Sequence, residues 1–347
     1  MKRWFARRRW WLLRVAALPV HLAVFALVVF FLVRAIPGDP VLTVTGGQID
    51  PSRYEEVRTA LGLGGTIWDQ LGRYAANLAR LDLGSSLLSG RTVLEEFASR
   101  LPATLELVTI SLVLTLLVST ALGLLVLLRP RNVVSRVVSA YSRTAGGVPD
   151  FCLGVLFIFV FYASLQWAPA PLGRLDPGMT APPAVTGFPL VDALAGGRPD
   201  AFVSMLAHLT LPVLVLVVAQ SAIFVRLLAA ALTDALDSQP TRFMIASGAG
   251  RRAVVWSILR RALPPMVTMA GVIYGYMLGG AVVLESLFGL GGIGQYAVDA
   301  VNSADLPALQ GFLLVIAALT LVVFLVVDLV VMILDPRRRS GRTEVSA

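Results

Sequence analysis

Six runs of about twenty apolar residues, nearly free of charge, constrain this chain more than any other feature. Val15 to Val33 lies between Arg14 and Arg34, Leu107 to Leu128 between Glu106 and Arg129, and Phe151 to roughly Trp167 follows Asp150. Ala201 to Val225, which contains His208, precedes Arg226; Ala262 to Leu284 lies between Arg261 and Glu285. Leu306 to Val327 ends at Asp328, and an apolar run resumes to Leu334. A bilayer core about 30 Å thick needs about 20 such residues per helix. The pattern predicts an all-α membrane protein with six transmembrane helices. Composition agrees: 57% of residues are hydrophobic and 14% charged, against roughly 45–50% and about 25% in soluble domains.

The first run follows a basic start, as a signal peptide would, but it is too long and lacks a small-residue cleavage site. The segment after it, Arg34-Ala35-Ile36-Pro37-Gly38-Asp39-Pro40, holds two prolines that end a helix. It reads as a membrane anchor with a rigid exit.

Lys and Arg set the orientation, since cytoplasmic segments are enriched in them. Residues 1–14 carry Lys2, Arg3, Arg7, Arg8, Arg9 and Arg14, and the next loop on that side carries Arg129, Arg131, Arg136 and Arg143. Arg242, Arg251, Arg252, Arg260 and Arg261 follow in the third segment, and Arg337, Arg338, Arg339 and Arg342 in the tail. Both termini are therefore predicted to be cytoplasmic. The organisation is a basic N-terminus (1–14), helix 1 (15–35), an extracytoplasmic region (36–102), a core of helices 2–6 (103–335) and a cytoplasmic tail (336–347). The net charge of +8 follows this topology, which removes the reason to invoke nucleic acid.

Several chemistries are excluded. Lys2 is the only lysine, so no GxxxxGK[ST] phosphate loop exists, and any ATP hydrolysis must belong to a partner. Gly289, Gly291 and Gly294 spell GxGxxG, but no strand and βαβ unit is expected around them. Cys152 is the only cysteine, and His21 and His208 are far apart, so no metal motif is evident. No GxSxG elbow or Cys/His pair supports nucleophilic catalysis.

Gly271, Gly275 and Gly279 repeat every four residues in the fifth run, followed by Gly280. Such a face lets backbones approach in lipid, either within this chain or against a second membrane subunit. The segment 234–262 is the longest on its side and too apolar for a plain linker. Pro240 breaks the incoming helix, Gly248 and Gly250 allow a sharp turn, and Arg251 to Arg261, with Val254, Val255, Trp256, Ile258 and Leu259, suits a helix lying on the membrane surface. A short apolar turn carried there suits a dock for a soluble partner, with a surface-anchored helix alone as the alternative. Arg226 and Glu285 fit the ends of spans, where charge costs little, and Asp328 fits the bundle interior with a partner.

Taken together, these residues resemble the inner-membrane permease subunits of binding-protein-dependent ABC importers of the dipeptide, oligopeptide and nickel group. The resemblance runs from about Arg34 to Arg338. It is carried by the exit after helix 1, by Leu61-Gly62-Leu63 and Asp82-Leu83-Gly84-Ser85-Ser86, by Arg100-Leu101-Pro102-Ala103-Thr104, by Glu285-Ser286-Leu287-Phe288-Gly289-Leu290-Gly291-Gly292-Ile293-Gly294, and by Asp335-Pro336-Arg337. The family's ATPase-docking loop reads close to RTARAKG, which Arg242-Phe243-Met244-Ile245-Ala246-Ser247-Gly248 matches at Arg242, Ala246 and Gly248.

The resemblance implies a non-catalytic permease in a bacterial inner membrane. It implies a second permease, two cytoplasmic ATPases that hold the ATP and Mg, and an extracytoplasmic substrate-binding protein. Arg242, Phe243, Met244, Ala246, Gly248 and Gly250 would couple to the ATPases, and Gly271, Gly275 and Gly279 would pack helices or the second permease. Glu285, Phe288, Gly294 and Asp328 are candidates for a pore or gate. No cofactor or metal is expected in this chain. Short peptides lead as substrate, with nickel or a metal chelate as alternative. A self-sufficient channel or secondary transporter, an intramembrane hydrolase and a purely structural role are the readings from other classes.

Overall fold

A computed structural model describes residues 2–35, 38–129 and 131–334, and of residues 2–14 only the backbone. Ile36, Pro37, the Asp335-Pro336-Arg337 motif and the tail 336–347 lie outside the described residues. Thirteen α-helices are described: α1 Lys2–Arg34, α2 Pro40–Val44, α3 Tyr54–Ala60, α4 Ile67–Ala79, α5 Val93–Leu128, α6 Val133–Thr144, α7 Asp150–Phe157, α8 Pro189–Ala195, α9 Pro199–Asp237, α10 Gln239–Ala246, α11 Arg251–Phe288, α12 Ile293–Asn302 and α13 Leu306–Leu334. Among the described residues the sole β contact is a bridge between Ser85 and Thr92. The protein is all-α, as lipid requires of a chain that must satisfy its own backbone.

Five segments are long and apolar enough to cross a membrane: Val15–Arg34, Val93–Leu128, Pro199–Asp237, Arg251–Phe288 and Leu306–Leu334. The third predicted span differs. It begins as the eight-residue α7 and continues as a seven-residue π-helical segment, Ile158–Ser164. At 1.5 Å per residue this reaches at most about 22 Å, short of the ~30 Å core. The amphipathic α6 and a short turn precede it and pack on α9. In α6, Ser135 donates to the carbonyl of Arg129 at 2.7 Å, and Tyr141 donates to that of Val218. A 3₁₀ turn, Ala145–Gly147, and Pro149 then break the helix. Residues 133–157 thus pack on α9 as one interrupted element.

The other helices overrun their apolar runs. With 36, 39 and 38 residues, α5, α9 and α11 are about 54–58 Å long and project from any bilayer. In α5 the start is set by Thr92, whose hydroxyl accepts from Glu95 N–H while the Glu95 carboxylate accepts from Thr92 N–H, a reciprocal cap. The helix therefore begins at Val93, ahead of the entry expected at 103, and Pro102 is carried inside it. The surface helix expected over Arg251 to Arg261 is corrected in the same way. Those residues are the first turns of α11, which continues through Pro264 and Pro265.

Two cores hold the molecule. The larger joins α5, α7, α9 and α11 around Leu107, Leu216, Met277 and Leu284; the smaller joins α1, α12, α13 and the start of α5 around Val33, Phe97, Ile293 and Ala308. Hydrophobicity does not drive helices together inside lipid, so fit must. Along α5, Ser111, Thr115 and Ser119 are fully buried, and a Cβ on Gly123 would meet Leu228 of α9 at 2.7 Å. This four-residue repeat of small residues makes a close seam between α5 and α9.

Candidate functional site

At one end of the bundle the chain reverses between α9 and α11 through α10. Ser238 stops α9 in extended conformation and its hydroxyl donates to the carbonyl of Ala235 at 2.7 Å and to Thr241 at 3.0 Å. Thr241 is fully buried and anchors the short helix. At its other end Gly248 turns left-handed at φ +74°, where the N–H groups of Gly248 and Ala249 close on the carbonyls of Ile245 and Met244, a C-terminal turn that glycine adopts without strain. Gly250 then begins α11.

The strap so formed presents Phe243 at 73% exposure, with Ile245 and, on the first turns of α11, Trp256 also exposed. Arg242 is exposed and pairs with Asp237 at 3.2 Å. Met244 instead lines a cleft of about 1060 Å³ with Asp234, Trp256, Arg260 and Leu334. Ala246 is exposed. The arrangement is an aromatic knob on a short helix held at both ends by long, rigid ones, beside a cleft lined with charge.

The opposite end is a closed joint. Gly289 ends α11 at φ +64°, and its N–H donates to the Glu285 carbonyl. The Glu285 side chain is fully buried: Oε1 accepts from the Thr104 hydroxyl at 2.5 Å and Oε2 from Gly294 N–H at 2.7 Å. Thr104 in turn accepts from Ile293 N–H at 3.0 Å. A Cβ on Gly292 would run into the Glu285 carboxylate, and one on Gly294 into the Val282 backbone. The glycines thus serve close approach of a turn to an acid, and the GxGxxG spelling has no bearing on dinucleotides. Glu285, expected at the end of its span, is covered by the returning turn and α5.

Arg174, from the loop before α8, pins this joint. It donates to the Leu290 carbonyl at 3.0 Å, to the Ala103 carbonyl at 2.7 Å and to Glu106 at 2.9 Å, while Glu106 also accepts from Leu190 N–H at 2.9 Å. Burial pulls the Arg174 guanidinium below its ordinary range, and Glu106 opposes that shift. Nearby, Asp305 accepts from the Ser86 hydroxyl at 2.6 Å and from Leu87 N–H at 2.8 Å, and caps α13 through Ala308 N–H.

Phe288 and Gly294 are buried within the joint, and Phe288 packs in the larger core. Asp328 is half-buried on α13 beside Val327, whose side chain covers Gly271. The three glycines of α11 part company: Gly271 faces α13, whereas a Cβ on Gly275 or Gly279 would meet nothing within 4 Å. Gly279 shares an outward face with Thr268, Val272, Tyr276 and Val283, which are exposed. Arg226 is exposed on α9.

Arg174, Asp305 and the α5 seam were missed in the sequence. Arg174 lies in a Pro/Gly-rich loop, 68 residues from Glu106, where nothing local marks it. The seam did carry a signal, the spacing of Ser111, Thr115, Ser119 and Gly123. Among the described residues no group of three His, Cys, Asp or Glu could hold a metal ion.

The family model of the binding-protein-dependent transport system inner membrane component matches residues 119–340, and that of the N-terminal membrane component of the same systems matches residues 7–108. Over 339 residues the chain is 36% identical to the probable D,D-dipeptide transport system permease protein DdpB of Escherichia coli (strain K12), covering 97% of this chain and 98% of that one. It is 34% identical over 318 residues to the di/tripeptide transport system permease protein DppB of Pseudomonas aeruginosa, covering 91% and 94%. It is 35% identical over 324 residues to the dipeptide transport system permease protein DppB of Haemophilus influenzae, covering 93% and 96%.

Proposed function

Because the chain belongs to the family of binding-protein-dependent transport system inner membrane components, we propose that it is the permease of an importer of short peptides, forming the translocation path with a second permease. It is a multi-pass inner-membrane protein and a non-catalytic subunit, with ATP hydrolysis in separate partners. Peptides are the cargo named for its relatives.

The α10 strap carries the coupling part of this reading. Its Phe243 is an apolar ring 73% exposed, and burying such a ring in a pocket is worth about 2 kcal/mol. Two ATPase subunits would grip this strap and its counterpart on the second permease. Their closure on ATP would move α10, and α9 and α11, both continuous from strap to joint, would carry the motion across the membrane as rigid bodies. The exposed α11 face around Gly275, Gly279 and Tyr276 would meet the second permease, with the path between them. In this reading both termini are cytoplasmic, the side on which the Arg-rich segments lie, and a binding protein delivers cargo at the Glu285 joint.

The test is reconstitution in proteoliposomes of this chain with its neighbouring permease, ATPases and binding protein. Labelled dipeptide should accumulate only when all are present with ATP. Uptake by this chain alone would establish a self-sufficient transporter, and uptake of a nickel chelate in place of dipeptide would reassign the cargo.

A further inference from the structure

Halfway along the bundle, one acid stands apart from both sites described. Asp150 opens α7 at the break in the interrupted element and is half-buried. Its Oδ2 lies so close to α11 that a Cβ on Gly280 would reach it at 2.5 Å, and the Gln220 side chain of α9 also approaches it. Among the described residues no cation pairs with it. A half-buried carboxylate with no cation beside it is costly, and one that faces a cavity or a partner is a candidate for function.

Gln220 supplies the second observation. It is 94% buried by virtue of its 6% exposure, yet its Oε1 has no hydrogen-bond partner. It lines a groove of about 370 Å³ between α9 and α11, with Ile223, Thr268, Met269, Val272 and Tyr276. Gln220, Thr268 and the Tyr276 hydroxyl are the polar side-chain groups of an otherwise apolar lining. Thr268, Val272 and Tyr276 also belong to the outward α11 face, so the groove opens toward the proposed path. A buried acceptor in this groove, with an acid beside that glutamine and outside the groove lining, complements a donor-rich cation carrying an apolar body.

We propose that Asp150 and Gln220 form a cargo subsite within the path, taking the protonated amino terminus of the peptide while its apolar side chain enters the groove. The carboxylate of Asp150 would accept a charge-assisted hydrogen bond from the ammonium, and Gln220 Oε1 would accept a peptide N–H. No bond is made or broken. The inference rests on the proposed function, since it supplies the path's selectivity for a free amine.

The experiment uses the complete reconstituted complex and compares uptake of an apolar dipeptide with that of its des-amino analogue, in wild type and in Asp150→Asn. The same binding protein serves both complexes, so its own selectivity cancels in the double ratio. The wild-type preference for the free amine should fall about tenfold or more in Asp150→Asn, and return toward wild type in Asp150→Glu. Should Asp150→Asn fail to assemble, Asp150→Ser serves the same comparison. An unchanged preference in an assembled neutral variant overturns the subsite and leaves the importer standing. Absence of ATP-driven dipeptide uptake by wild type overturns the importer, and the subsite with it.

Discussion

Thr104 on α5 donates a 2.5 Å hydrogen bond to Glu285 on α11, across 181 residues of sequence. Both side chains are buried, at 2% and 0% exposure, so the carboxylate depends on a small set of donors. Replacing Thr104 with Val keeps the shape and removes the donor to Glu285 and the acceptor of Ile293 N–H. An unsatisfied buried group costs about 1–3 kcal/mol. Thermal melting of the purified chain in detergent should therefore show clear destabilisation for Thr104→Val and little for Thr104→Ser. Equal melting of wild type and Thr104→Val would sink this account of the joint.

The glycines of the joint and of the outward face should respond differently. Gly294→Ala drives a Cβ into the Val282 backbone, which cannot yield cheaply. Folded yield should collapse. Gly279→Ala meets open space and should leave the isolated chain's melting unchanged, or raise it slightly because alanine favours helix. Co-purification with the second permease should weaken in bulkier variants such as Gly279→Leu, and full retention would remove that face from the interface.

Phe243→Ala should leave melting within error, because the ring is 73% exposed. Binding of the ATPase subunits, measured by surface-immobilised complex or sedimentation, should weaken about thirtyfold, the equivalent of about 2 kcal/mol. Unchanged ATPase affinity would mean that the knob serves another purpose.

Asp192 on α8 accepts from the Thr186 hydroxyl at 2.7 Å, from Thr186 N–H at 2.7 Å and from Gly187 N–H at 3.0 Å. These donors hold its carboxyl below the usual Asp range, the Thr186 hydroxyl contributing most. A depressed pKa makes the contribution to stability fully present above the unfolded-state value, about 3.9, and lost as pH falls through the folded value. Amide exchange of residues 185–190 should stay slow from pH 7 to 5 and accelerate below about pH 4. Asp192→Asn should flatten that acceleration; an identical profile in the variant would assign it to other groups.

Legibility in the sequence followed period and charge. The long apolar runs of α1, α5, α9, α11 and α13 were visible because lipid demands them over twenty consecutive positions. The strap was visible as well, because Pro240, Gly248 and Gly250 punctuate a run too apolar for a linker. Residues 133–144, with Arg136 and Arg143 among valines, read as a loop, whereas the structure shows a helix whose Tyr141 is set against α9. The joint was read as a motif only. That Glu285 bonds Thr104 depends on α5 and α11 crossing, and no local pattern encodes a crossing. Asp150 was noted merely as the boundary of a span, since its neighbours Gln220 and Gly280 are distant in sequence.

The bond from Ser86 to Asp305 joins positions 219 residues apart. At ribosomal speeds of roughly 5–20 residues per second, the acceptor emerges about 11–44 seconds after the donor. Throughout that interval the turn around Ser86 must wait outside its final seat, open to proteases and quality control. The seat for that turn is thus finished only when Asp305, at the very start of α13, has been made.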